Sequence, residues 1–212
     1  MNFEVTSAAN IKAREVSLRC PCCKRHAVFV QLETSSHDTQ LGPKRVAGLR
    51  RCPNPSCRCL VFVVYEPNVR DVDLLVSYPP ERLDFDPSGI PTNIVAAFEE
   101  ALTCHANGAY TAAAIMVRKA LEELCASQGA TGNDLFARLT SLSSKIVVPR
   151  ALLDAAQELR LLGNDAAHVE AQAFNQVAAV EVEAGIELTQ ELLKAVYQMD
   201  DLLVRLRALK KT

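Results

Sequence analysis

The apolar pattern of this chain changes its period once. In the first third, apolar residues come in short β-branched runs. The runs 27–32 ("AVFVQL") and 60–65 ("LVFVVY") are each preceded by a cluster of cysteine, proline and basic residues, and both read as strands. From 67 to 91 the chain is punctuated by Pro67, Pro79, Pro80, Pro87, Gly89 and Pro91. That stretch reads as an ordered connector with room for one short strand near 72–76. Beyond Pro91 the spacing becomes helical. Ile94, Val95, Phe98, Ala101 and Leu102 form one stripe, ended by Asn107-Gly108, and Tyr110, Ala113, Ala114, Val117, Leu121 and Leu124 form a second. A shorter helix is expected after Asn133 or Asp134. Another is expected from Pro149 to Leu162, where Gly163 is a natural terminator. A last long helix is expected over about 173–199, with a restart at Asp200 or Asp201. Short connections between amphipathic helices imply an up-and-down bundle. The predicted class is α+β, with a small antiparallel β module over 1–70, a connector over 71–91 and a helical bundle over 92–212.

Charge follows the same division. Residues 1–70 carry 11 Lys and Arg against 5 Asp and Glu, whereas residues 71–212 carry 12 against 20. A basic front and an acidic back point to modules with different partners. The apolar fraction of 49% with 23% charged residues excludes wholesale disorder. No apolar run approaches the length of a membrane span, and the opening "MNFEVTSAAN" has neither the basic nor the apolar region of a secretion signal. A cytoplasmic protein without membrane association is expected.

Six of the eight cysteines fall between positions 20 and 59. In a reducing compartment such a cluster more often binds metal than forms disulfides. "CPCC" places Cys20 and Cys23 at C-x2-C, and "CPNPSC" places Cys52 and Cys57 at C-x4-C. Each pair precedes a strand, which is the arrangement of a zinc ribbon. Two facing knuckles supply four thiolates to one structural zinc. Cys20, Cys23, Cys52 and Cys57 are the expected ligands. Cys22 and Cys59 are spare, His26 is near, and Cys59 is the chief rival to Cys57. The basic residues around the knuckles, Lys24, Arg25, Lys44, Arg45, Arg50, Arg51 and Arg58, form the candidate nucleic-acid contact set, for RNA or DNA. The few aromatics, Phe29, Phe62 and Tyr65, alternate in a way that suits core packing better than base stacking. A ribbon that docks a protein is the other reading.

The second candidate centre is "ELRLLGNDAAH". Arg160 and His168 have seven residues between them, on either side of Gly163. A reversal at the glycine lets a histidine and a guanidinium approach. The first can move the proton of a ribose 2′-hydroxyl and the second can stabilise a pentacoordinate phosphate. Asn164 and Asp165 are placed to support that turn. Arg118 and Glu122, four apart on the second helical stripe, either make an exposed ion pair or help hold the corner.

The runs "IPTNIVAAFEEALTCHANGAYTAAAIMVRKALEELC", "ELRLLGNDAAH" and "AGIELTQELLKAVYQ" together resemble the domain-of-unknown-function family 4145, over about residues 78–200. That family is similar to the HEPN superfamily of helical bundles, and cysteine knuckles ahead of the domain also look like it. The resemblance implies a HEPN-like bundle, a homodimer formed through it and a setting in prokaryotic defence or stress response. HEPN ribonucleases carry an Arg and a His with four to six residues between them, commonly with a polar residue just after the Arg. Carried over, Arg160 and His168 take those places, with a spacing of seven and Leu161 at the polar position. The expected function is a zinc-stapled, nucleic-acid-associated or protein-docking factor, and the alternative is a metal-independent endoribonuclease.

Overall fold

The computed structural model describes residues 10–32, 37–144 and 177–209. The chain is α+β and forms two compact units, Met1–Arg82 and Leu83–Thr212.

Among its described residues, the first unit forms one antiparallel sheet of seven strands: β1 (Asn10–Lys12), β2 (Val16–Arg19), β3 (His26–Gln31), β4 (His37–Leu41), β5 (Arg45–Arg51), β6 (Leu60–Pro67) and β7 (Val72–Tyr78). β5 is its hub. It pairs with β4 at its start, with β3 at its end, and along its whole length with β6. The two strands read from the sequence are β3 and β6, and the short strand in the connector is β7, which extends the sheet beyond β6. β4, "HDTQL", escapes a hydrophobic reading because its one buried residue is an aspartate.

One face of the sheet carries the core. Val16, Leu18, Phe29, Val46, Val61, Val63 and Tyr65 pack there with Cys20 and Cys52. The register of β6 against β7 slips between Val64 and Tyr65, because Tyr65 pairs with Leu74 and Val64 with Val76. The extra residue, Leu75, makes a bulge of the kind that bends a strand and strengthens its twist.

Arg50 enters the same core. Its guanidinium is fully buried and holds both carboxylate oxygens of Asp38, with Nη1 donating to Oδ1 at 2.9 Å. Nε donates to the Arg14 carbonyl at 3.0 Å, and the Tyr65 hydroxyl donates to Asp38 Oδ2 at 2.6 Å. Gly48 leaves the room this requires, since a β-carbon there would collide with the Asp38 carboxylate and approach Arg50 Nη1.

In the second unit, α1 (Thr92–Ala106) and α2 (Tyr110–Ser127) are joined by a tight turn at Asn107-Gly108 and pack closely. α1 buries Ile94, Ala97, Phe98, Ala101 and Leu102, close to the stripe that its spacing predicts. No side chain caps its start. Asn93 instead donates to Glu123 of α2 at 2.6 Å. α3 (Leu135–Leu142) is capped by Asp134, whose carboxylate accepts the Ala137 amide at 2.8 Å. α4 (Ala179–Leu193) packs against α1 and α2 through Val182, Ile186, Leu192 and Leu193. It continues through a π-helical turn, Lys194–Gln198, into α5 (Met199–Leu209). The helix therefore runs on where a restart at Asp200 or Asp201 was expected. The wider turn carries Tyr197, whose hydroxyl meets Ser127 of α2. It also carries Gln198, which donates to the Asp86 and Ser88 carbonyls at 2.9 and 3.1 Å. Those bonds fasten the segment that leads into α1, where Phe85 meets Phe98 edge-on at 4.7 Å between centroids. The helix expected between Pro149 and Leu162 lies outside the described residues.

Candidate metal centre

Two short turns of similar design form the centre. In the first, between β2 and β3, the Cys20 amide donates to the Arg25 carbonyl at 2.9 Å, and the Lys24 amide donates back to the Cys20 carbonyl at 3.0 Å. In the second, between β5 and β6, the Cys52 amide donates to the Cys59 carbonyl at 2.9 Å. The amides of Cys57 and Arg58 both donate to the Asn54 carbonyl at 3.0 Å. Lys24 and Arg58, each directly after the second cysteine of its turn, both adopt left-handed backbone, with φ of 63° and 51°. That conformation costs a non-glycine residue energy. Here it curls each turn so that two sulfurs face inward.

The outcome is a four-sulfur cluster. The Sγ atoms of Cys20, Cys23, Cys52 and Cys57 all lie within 4.8 Å of one another. Cys20 is 3.7 Å from Cys57 and Cys23 is 3.8 Å from Cys52. A tetrahedral zinc with bonds of about 2.3 Å separates its sulfurs by about 3.8 Å, so the donor set fits such an ion. Cys20 and Cys52 are buried, whereas Cys23 and Cys57 are half-exposed. The thiols are electrostatically unequal. The Arg25 backbone N–H directed at its sulfur holds Cys23 down at about 6, while burial pushes Cys52 up to about 12. A thiol held down gives up its proton to a metal more readily than one pushed up by burial.

Cys22 and Cys59 do not join the tetrad. They are bonded to each other as a disulfide, with Cα atoms 6.2 Å apart. The cluster thus combines four cysteines that could hold a metal with one disulfide, and Cys59, the expected rival of Cys57, is bonded to the other spare cysteine, Cys22. His26 sits exposed at the start of β3, outside both cysteine groups. The remaining cysteines belong to the helices. Cys125 is buried in α2, which pushes its thiol up to about 11 and leaves it an inert core residue.

The basic residues separate into groups that the sequence does not distinguish. Arg50 is removed from the contact set altogether, being buried and paired with Asp38. Lys44 and Arg45 lie at the β4–β5 turn, and Arg45 approaches Glu66 at 3.5 Å. Arg51 is at the other end of β5, about 20 Å away along a seven-residue strand. It stands beside the knuckles that carry Lys24, Arg25 and Arg58. Arg25 and Arg58 are exposed, and Lys24 is half-buried, which lowers its pKa.

A feature not read from the sequence adjoins this second group. Strand register sets Leu49, Phe62 and Tyr78 directly opposite one another across β5, β6 and β7, with Arg51 opposite Leu60 in the next rank. Directly paired side chains project from the same face. Here that face lies opposite the core, and Leu49, Leu60, Phe62 and Tyr78 remain between 40% and 65% exposed. Phe62 is therefore an outward residue, unlike Phe29 and Tyr65, which are core as expected. The alternation in "RCLVFVVY" does not tell which parity faces out.

The second candidate centre is not placed. Arg160, Asn164, Asp165 and His168 lie outside the described residues. Arg118 and Glu122 do pair on α2, Nε to Oε1 at 2.9 Å, on a partly exposed face.

A family model described as a domain of unknown function (DUF4145) matches residues 99–211. The chain belongs to the DUF4145 family. The match covers α2, α3, α4 and α5 and begins within α1, so the DUF4145 portion is the helical unit, and the sheet with its cysteines precedes it. No curated protein and no solved structure matches the chain. No helix among the described residues is long and apolar enough to cross a membrane.

Proposed function

We propose that this chain is a zinc-stapled factor that contacts single-stranded nucleic acid through its sheet unit and pairs with a second copy through its helical unit. Cys20, Cys23, Cys52 and Cys57 hold the ion. Its chemistry is structural: it neutralises converging thiolates and ties the two knuckles that begin β3 and β6. The observation that carries the nucleic-acid reading is the partly exposed row Leu49, Phe62, Tyr78 on the outward sheet face, at the end of β5 that carries Arg51 and near the knuckles that carry Arg25 and Arg58. Aromatic rings on an exposed sheet stack on unpaired bases, and neighbouring cations hold the phosphates. Duplexes present no free base faces and fit this surface less well.

Pairing of two copies is supported by α5. Met199, Leu202, Leu206 and Leu209 recur at coiled-coil spacing, and all four are exposed. The resemblance to HEPN-like families supports a cytoplasmic role in prokaryotic defence or stress response. Metal-independent RNA cleavage by Arg160 and His168 is the second reading, favoured by the position of that motif inside the DUF4145 match.

The direct test is fluorescence anisotropy of the zinc-loaded protein with labelled single-stranded RNA, single-stranded DNA and a duplex across a salt series. Binding to single strands that weakens steeply with salt supports the reading. No binding at low salt removes it and leaves the face to a protein partner.

A further inference from the structure

The Cys22–Cys59 pair has no part in the metal tetrad, yet its position couples it to that tetrad. Cys22 sits between the first knuckle's turn residues and its second ligand, Cys23. Cys59 follows Cys57 by two residues, and its carbonyl accepts the amide of the ligand Cys52. The two residues thus occupy opposite knuckles, and their disulfide links segments 37 residues apart in sequence. The sulfurs of Cys22 and Cys59 also lie within 4.8 Å of Cys20 Sγ, one of the buried ligands. Cys22 is exposed and Cys59 half-exposed, so both are open to small thiol reagents.

We propose that Cys22 and Cys59 are a reversible dithiol–disulfide couple that gates the release of the metal held by Cys20, Cys23, Cys52 and Cys57. The inference rests on the reading that this tetrad holds zinc. The oxidant is a low-molecular-weight disulfide, RSSR. The Cys22 sulfur attacks one sulfur of RSSR, whose S–S bond breaks and releases RSH. The Cys59 sulfur then attacks Cys22 in the mixed disulfide and releases the second RSH. Two electrons and two protons pass from the protein to the oxidant, and excess small thiol runs both steps in reverse.

The two states treat the ion differently. In the oxidised state the knuckles are joined twice, once through the metal and once through the Cys22–Cys59 bond. That bond withholds much of the freedom the knuckles would gain on opening. It also ties up two sulfurs that lie within 4.8 Å of Cys20 Sγ. In the reduced state those two sulfurs are free donors beside a metal-bound thiolate. They can displace it, unseat the ion stepwise and pass it to an outside acceptor.

The test uses full-length, zinc-loaded protein, treated either with oxidised glutathione or with a phosphine reductant and then desalted. Zinc content is measured first by elemental analysis, then zinc transfer to a chromogenic chelator is followed in time. Disulfides are mapped by alkylation and mass spectrometry. The expected result is one disulfide, Cys22–Cys59, in the oxidised sample, with zinc retained and transferred about tenfold or more slowly than from the reduced sample. Cys22→Ser/Cys59→Ser and, as a second variant, Cys59→Ser alone should hold the same zinc and transfer it at one rate after either treatment. Equal transfer rates from oxidised and reduced wild type, with zinc bound in both, would overturn the gating. So would oxidation that joins tetrad cysteines and ejects the ion. Absence of zinc from the wild type before treatment would overturn it together with the metal reading on which it rests.

Discussion

Arg50 and Asp38 form a two-pronged ion pair inside the sheet unit, above the bare backbone of Gly48. Both side chains are essentially inaccessible, at 0% and 2% exposure. Breaking such a pair from one side strands the other charge in the core, which costs about 3–5 kcal/mol. Arg50→Ala should therefore lower stability by about that amount, read as a drop in the urea midpoint. Replacing both residues with apolar ones of similar volume should cost much less. If Arg50→Ala leaves the midpoint unchanged, the pair is not part of the folded core.

Tyr65 completes this network, and its behaviour with pH follows. Burial and the hydrogen bond to Asp38 push its hydroxyl up to about 12. An unfolded tyrosine ionises near 10, so the unfolded chain loses its proton first. The stabilising contribution is complete below about pH 10 and is lost as pH rises through 12. Tyr65→Phe should cost about 1–2 kcal/mol at neutral pH. The stability gap between wild type and variant should narrow between pH 10 and 12. A gap constant across that window would contradict the assignment.

These residues also mark what the sequence discloses. Cysteine spacing discloses the knuckles, because C-x2-C and C-x4-C each imply a turn, and the change of apolar period discloses the division into sheet and helices. The buried Arg50 is hidden because, in the string "GLRRC", nothing distinguishes the inward arginine from its outward neighbour Arg51. Only pairing register does so, and β4, which supplies Asp38, has no apolar signature of its own. The row Leu49, Phe62, Tyr78 is hidden for the same reason, since its members come from three strands. Cys22 and Cys59 look like spare ligands in sequence, and only the facing of the two knuckles brings them together.

The outward face yields a separate prediction. Phe62→Ala and Tyr78→Ala should each weaken binding of a single strand by about 1–3 kcal/mol, with little change in its salt dependence. Arg25→Glu/Arg58→Glu should instead flatten the salt dependence. Anisotropy titrations at two salt concentrations separate the effects. Stacking variants that bind as wild type would remove the face from the account.

Two-copy association should depend on α5. Leu202→Glu/Leu206→Glu places charges on its apolar stripe and should convert a dimer to a monomer, as measured by light scattering after size exclusion. The helical circular-dichroism signal should be largely retained, because these residues lie outside the buried cluster of the helical unit. A wild type that is monomeric at high concentration would end this part of the proposal.

The RNA-cleavage reading is tested by incubating wild type and His168→Ala with single-stranded RNA in EDTA. The account predicts intact RNA in both. Cleavage by wild type leaving cyclic phosphate ends, abolished in His168→Ala, would replace a binding factor with a nuclease.

The central claim is that one zinc ion, held by Cys20, Cys23, Cys52 and Cys57, ties the sheet unit together. X-ray absorption at the zinc edge of the purified full-length chain, with metal content measured on the same sample, tests it most directly. The account predicts one zinc per chain with four sulfur neighbours at about 2.3 Å, and loss of that zinc in Cys23→Ser/Cys57→Ser. A chain without zinc, or a zinc shell containing nitrogen or oxygen, would contradict it.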